Sequence, residues 1–92
     1  MRLDITFDPV KREKTLRERN LDFADAARVF EGPNYRWVDD RFDYGEVRVV
    51  TIGRLNGRMV VIVWTERGNA RHIISMRKAN EREQERYGRY LD

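Results

Sequence analysis

The sequence predicts an α+β domain: a small antiparallel β-sheet with two N-terminal helices and one C-terminal helix. Three observations carry this expectation. Apolar residues recur at helical spacing in Phe23, Ala26, Ala27 and Phe30, and helical patterning returns from about Lys78. Between those two regions the period changes to two. The links inside that middle stretch are also short: Arg54-Leu55-Asn56-Gly57 holds an Asn-Gly step between alternating runs, and Gly68-Asn69 is a second turn. Such short links join antiparallel neighbours.

The elements follow in the order β-α-α-β-β-β-β-α. Leu3, Ile5 and Phe7 alternate with Arg2, Asp4 and Thr6, the pattern of a short strand. Asp8-Pro9 is a helix start, with Asp8 as N-cap and Pro9 at the first helical position. Val10 to Arg19 has mainly Val10 and Leu16 to bury, and Asn20 suits a left-handed cap. The second helix opens at Leu21-Asp22-Phe23, with Asp22 as N-cap and Asp25 completing a loose capping box, and Gly32-Pro33 stops it. Strands are expected over Tyr35–Val38, Glu46–Ile52, Met59–Glu66 and Arg71–Met76. In the last helix Ala79, Glu83 and Tyr87 share one line, and Glu85 with Arg89 makes an i,i+4 pair in the favourable order.

Composition narrows the function classes. Ninety-two residues suit one domain and one core, with modest burial for its size. No cysteine is present, which removes disulfides, thiolate catalysis and cysteine-based zinc sites. The longest apolar run, Met59 to Trp64, is strand-sized, and MRLDITFDP carries no signal-peptide core. The expectation is a cytoplasmic protein with no membrane contact. Residues 1–46 hold 9 basic against 11 acidic side chains, net −2, whereas residues 47–92 hold 10 against 5, net +5. The basic residues are 16 Arg and 3 Lys, and the planar arginine fork suits phosphate. A basic C-terminal half points to a polyanionic partner, although genomic base composition also favours Arg over Lys.

No metal cofactor is expected. His72 is the single histidine, and no paired-ligand spacing occurs. His72 is expected on the strand face of Ile74 and Met76, as a structural residue, a general acid or base, or, least, a ligand. Asp39, Asp40 and Asp43 read as a solvated acidic loop. Arg71, Ser75 and Arg77 alternate, so they point to one side if the extended period persists. A Gly68-Asn69 hairpin brings Arg67 close to Arg71, and Glu46 shares a face with Arg48. Arginines, a hydroxyl and a carboxylate then line one groove wall.

RNA cleavage requires only such equipment, because the substrate supplies its own nucleophile, the ribose 2′-OH. Arginines offset the charge of the phosphorane. Glu46 or His72 takes a proton, and Tyr87 or an arginine donates or orients. In the plainer reading Arg71 and Arg77 only bind phosphate, or pair with Glu46 or the helix acids. Tyr35, Trp37, Phe42 and Tyr44 are harder to bury together than Phe7, Phe23, Phe30 and Trp64. They suit base stacking, a protein-binding patch or edge-strand packing.

Phe7–Leu16 (FDPVKREKTL), Leu21–Phe30 (LDFADAARVF), Gly45–Gly53 (GEVRVVTIG) and Val63–Tyr87 together resemble a BrnT-type toxin of a bacterial type II toxin–antitoxin pair. The most specific string is R-x-I-I-S-x-R-x-A at Arg71–Ala79, followed by E-R and a tyrosine. The resemblance implies a RelE-like fold across residues 1–92 as one toxin domain. It implies a metal-independent ribonuclease that cleaves mRNA and blocks translation. It also implies a cognate antitoxin with a ribbon-helix-helix DNA-binding region, with operator DNA bound only through that complex. The family's polar pattern falls on Lys11, Glu46, Arg48, Arg67, Arg71, Ser75 and Arg77. By that resemblance Glu46, Arg67, Arg71 and Arg77 are the catalytic candidates, while Lys11, Arg48, Ser75 and Tyr87 bind substrate. One departure stands out: Glu18-Arg19-Asn20 replaces the family's common Lys-His-Gly triplet.

The alternative is a non-catalytic RNA- or protein-binding member of the same fold in a regulatory complex. A transcription factor is disfavoured, since no convincing helix-turn-helix pair is present.

Overall fold

The computed structural model describes residues 4–91. They form five strands and three α-helices: β1 (Asp4–Phe7), α1 (Pro9–Arg19), α2 (Ala26–Glu31), β2 (Asn34–Asp39), β3 (Arg48–Leu55), β4 (Arg58–Arg67), β5 (Ala70–Lys78) and α3 (Glu81–Leu91). The strands make one sheet in the order β1-β5-β4-β3-β2. Four strands are mutually antiparallel, as expected, but β1 runs parallel to β5, so the sheet is mixed. The whole of the intervening chain separates those two strands, so no tight turn dictates their direction. Leu3, expected to open the first strand, lies outside the described residues.

The turns follow their residue types. Asn56 and Gly57 take φ of 53° and 81°, the double positive that a two-residue type I′ hairpin requires. Asn20 caps α1 in the left-handed region at φ 58°, its N–H donating to the Leu16 carbonyl, so the loss of a glycine there leaves the turn intact. Asp8 accepts from the Val10 N–H at 2.9 Å. α1 nevertheless buries nothing: Val10 is 74% exposed and Leu16 37%, against expectation. Its hold on the body is largely polar. Arg12 donates two 2.8 Å hydrogen bonds to Asp22, and Arg19 donates to the Met76 carbonyl at 2.9 Å.

The predicted second helix divides into a 3-10 turn, Phe23–Asp25, and the short α2. Asp22 caps the turn by accepting from the Ala24 N–H, while Asp25 lies 3.9 Å from Arg28 instead of closing a box. Val29 takes the buried position expected of Ala27. α2 stands close on β3 at Gly53, where an added Cβ would meet Val29 Cγ1 at 2.7 Å.

Both sheet faces are covered in part. Leu21, Phe23, Ala26 and Val29 pack with Val60, Ile62, Trp64, Ile73 and Met76 on one face. On the other, Val50, Ile52, Met59 and Val61 pack with Ala79 and Leu91, and Trp37, Val63 and Tyr87 border them. The continuous apolar run of β4 follows from this two-sided burial. At the start of α3, Asn80 and Glu83 cap reciprocally: the Asn80 side chain accepts from the Glu83 N–H at 2.8 Å, and Glu83 accepts from the Asn80 N–H at 2.9 Å.

Candidate active site

A β-bulge decides which side chains meet. Val63 pairs with Ser75 and Trp64 with Ile73, leaving Ile74 without an opposite number. The alternation of β5 therefore reverses at Ile74. Ile73 and Met76 both enter the α2-side core, whereas Ser75 and Arg77 sit opposite Val63 and Val61 on the α3 side. The expectation that Arg71, Ser75 and Arg77 share a side required an unbroken extended period. The bulge separates Arg71 from the other two. It also parts His72 from Met76.

On the α3 side, toward the end that α1 overhangs, an open cleft of about 580 Å³ is lined by Lys11, Lys14, Arg19, Arg48, Glu18 and the Ser75 hydroxyl, among others. Lys11 and Lys14 come from one helical face at i,i+3 spacing, Arg48 from the start of β3, and Ser75 from just beyond the bulge. Four cations against one carboxylate make the cleft electropositive. Arg48 lies over the Tyr44 ring at 3.9 Å, and its buried Nε has no hydrogen-bond partner. Ring packing fixes the guanidinium in place, and among the described residues no carboxylate pairs with it.

Glu46 precedes β3 instead of lying within it, and its carboxylate reaches Arg67 Nη2 at 3.5 Å. His72 neighbours this pair: Nδ1 is 2.9 Å from Thr6 Oγ1. Burial, then the positive charge of Arg67, holds the imidazole below its ordinary value, against the opposing pull of Glu46. Lys11 pushes in the same direction, so His72 is electrostatically coupled to the cleft wall. Arg67 does not meet Arg71. Arg67 pairs with Ala70 and Glu66 with Arg71, which places the two arginines on opposite faces.

Arg77 borders a second recess of about 310 Å³, with Trp37, Asp39 and Glu83. Its guanidinium donates to both Glu83 oxygens at 2.7 and 2.8 Å, and the fork holds the Glu83 carboxyl below the usual carboxylate range. Asp39 is likewise engaged. Arg41 donates two side-chain hydrogen bonds to it, Tyr44 adds a third, and its pKa falls to about 2, chiefly through Arg41.

Two remaining candidates lie elsewhere. Arg71 rests over Phe30 at 4.4 Å and Trp64 at 5.1 Å on the α2 side, with its Nε buried and unpartnered. Burial, then repulsion from Arg36, pulls its guanidinium below the ordinary value. Tyr87 stacks on Trp37 at 5.0 Å, away from the cleft lining. The structure thus brings Lys11, Arg48 and Ser75 together, sets Glu46 and Arg67 beside His72, and separates Arg71 and Tyr87 from them. Sequence reasoning missed Lys14 as a cleft residue, whereas Arg19 stands where the family's common triplet has its histidine. The i,i+3 spacing of Lys14 from Lys11 was the available signal.

Among the described residues no three or more His, Cys, Asp or Glu gather as a metal site, and no helix is long and apolar enough to cross a membrane. A family model described as "Ribonuclease toxin, BrnT, of type II toxin-antitoxin system" matches residues 7–83. The chain belongs to the BrnT family of ribonuclease toxins. Membership implies an antitoxin partner, as type II systems are two-component pairs. The matched span includes every cleft residue named above, from Lys11 to Ser75. A search of curated proteins returns no match.

Proposed function

We propose that this BrnT-family chain is a metal-independent endoribonuclease. It cleaves mRNA by attack of a ribose 2′-OH on the adjacent phosphorus and thereby inhibits translation in the cytoplasm. The observation that carries the reading is the cleft lined by Lys11, Lys14, Arg19, Arg48 and Ser75. A phosphodiester seated there meets cations on two sides, from α1 and from β3. The 2′-oxygen bonds to phosphorus and the P–O5′ bond breaks, leaving a 2′,3′-cyclic phosphate and a 5′-hydroxyl. The base removes the 2′-OH proton, and the departing 5′-oxygen takes one from water.

Glu46 and His72 are the groups available to accept the first proton. His72 is depressed, hence neutral at pH 7 and able to act as a base. Arg67, at 3.5 Å from Glu46, orients that carboxylate. Lys11 and Arg48 supply charge to the phosphorane, and Ser75 hydrogen-bonds a non-bridging oxygen. Arg77 stands in the adjoining recess, where release from Glu83 frees it for a flanking phosphate. A cognate antitoxin with a ribbon-helix-helix region neutralises the toxin, and the pair, not the toxin alone, contacts operator DNA.

The test is cleavage of a defined single-stranded RNA in EDTA by the chain and by a Lys11→Ala/Arg48→Ala variant. Cyclic-phosphate ends that vanish in the variant support the proposal. Cutting that EDTA abolishes, or that the variant retains in full, refutes it. The alternative, a non-catalytic RNA- or protein-binding member, draws on the bidentate Arg77–Glu83 pair. It predicts RNA that is bound in the cleft and left intact.

A further inference from the structure

On the cleft side of the sheet, four aromatic rings join β2 to α3. Trp37 and Tyr87 stack at 5.0 Å with an interplanar angle of 14°, and Tyr35 and Tyr90 at 4.8 Å with 30°. Tyr35 also lies 5.3 Å from Tyr87 and 6.0 Å from Trp37, so the rings form one ladder. Its inner members are half-buried against the core, whereas Tyr35 and Tyr90 are 39% and 51% exposed. Packing of α3 on the sheet accounts for the inner pair and leaves the outer pair unexplained.

The rim is cationic. Arg86 lies 5.5 Å from the Tyr87 centroid and Arg89 5.3 Å from that of Tyr90. Two carboxylates of the recess between ladder and cleft are engaged: Asp39 by Arg41 and Tyr44, Glu83 by Arg77. A path also connects ladder and cleft. Tyr35, Trp37 and Asp39 are alternate residues of β2 on one face, each about 6.6 Å from the next. Trp37 and Asp39 line the recess beside Arg77, and Asp39 pairs across the sheet with Arg48, which lines the cleft.

We propose that the Tyr35–Trp37–Tyr87–Tyr90 ladder is a base-stacking subsite for single-stranded RNA flanking the scissile phosphate held in the cleft. This rests on the RNA-cleaving reading of the cleft. The exposed parts of Tyr35 and Tyr90 offer ring surface for further stacking, and Arg86 and Arg89 meet the accompanying phosphates. Any base has a π-face, so such a subsite lengthens the engaged RNA with little sequence discrimination. RNA is favoured over a protein partner because Arg86 and Arg89 flank the rings, and the same sheet face leads past Arg41 and Arg77 to the cations of the cleft.

The experiment measures binding of fluorescein-labelled 2′-O-methyl oligoadenylates, which lack the nucleophile, to the chain and its variants. A trinucleotide fills the cleft alone, and a nonanucleotide reaches the ladder. Tyr35→Ala/Tyr90→Ala is expected to weaken the nonanucleotide about tenfold and leave the trinucleotide unchanged. The salt dependence should stay as it was, because no phosphate contact is removed. Tyr35→Phe/Tyr90→Phe should bind like the unaltered chain. Tyr90→Leu, which keeps apolar bulk on α3 against Tyr35, should still lose nonanucleotide affinity, separating stacking from folding. Equal nonanucleotide binding by the Ala variant overturns the inference and returns the ladder to packing or protein contact. Lys11→Ala/Arg48→Ala should weaken both lengths with a shallower salt slope. If that variant weakens neither, the RNA reading of the cleft itself fails.

Discussion

The two faces of the sheet are built from the same strands and do opposite work. On the α2 side, Ile62, Ile73, Met76 and Val60 are essentially solvent-free, and α2 approaches β3 closely enough to require Gly53. On the α3 side the apolar cover ends partway, at Val63 and Trp37, and the rest is polar or charged: Lys11, Arg48, Arg67, Glu46, His72 and Ser75. One face supplies stability through burial, and the other leaves cations without full neutralisation. The difference teaches that substitutions in the buried α2-side layer and at the polar end of the α3 side should separate into losses of stability and losses of activity. Arg71 is the exception that tests the rule, since it is a cation on the packed face, over Phe30 and Trp64.

The largest effect should come from the packed face. Ile62→Ala removes a fully buried side chain and should cost about 2–5 kcal/mol in denaturant unfolding. Gly53→Ala is next. Its Cβ would press on Val29 Cγ1 at 2.7 Å and on the Pro33 carbonyl oxygen at 3.3 Å, an overpacking cost of about 1–3 kcal/mol. Either variant unfolding at the wild-type midpoint would break the comparison. Asn80→Ala removes one half of the reciprocal cap on α3 and should cost about 1 kcal/mol. On the open face, Lys11→Ala/Arg48→Ala should cost about 0.5–1 kcal/mol of unfolding free energy, through the lost Arg48–Tyr44 contact, while RNA cleavage is lost.

A pH series sharpens the comparison further. His72 is held below its ordinary value of about 6.5 when folded. The unfolded chain therefore binds its proton more readily. The contribution of this group is fully present above the unfolded value and is lost as pH falls through the lower folded one. His72→Gln should flatten that portion of the stability profile. If His72 is the base, kcat/KM falls with acidification in the same window, and a rate flat across it assigns the proton to another group. Asp22, depressed chiefly by the Arg12 fork, has the same sign at lower pH. Its contribution is present above the unfolded carboxylate value and lost as pH falls through the folded one, and Asp22→Asn should remove the slope.

Much of this architecture was legible in the chain. Asp8-Pro9, Asn20, Asn56-Gly57 and Gly68-Asn69 fixed element ends because their backbone preferences are local. The period of two located β2 to β5 within a few residues, and the family pattern supplied Lys11, Arg48 and Ser75. α1 was harder: a polar helix has no face to orient it, and Val10 and Leu16 remained exposed. The parallel pairing of β1 was beyond local signals, since it joins segments more than 60 residues apart, as in the Thr6–His72 partners.

Identity and order of the elements were therefore decided by the sequence itself, through propensities and turn chemistry that act within a few residues. Which side chains share the cleft was decided by tertiary structure. One extra residue at Ile74 reverses every side chain beyond it, sending Met76 into the core and Ser75 toward Lys11 and Arg48. A bulge is set by the register between β4 and β5, a property of two strands packed together, and no periodicity within one strand encodes it.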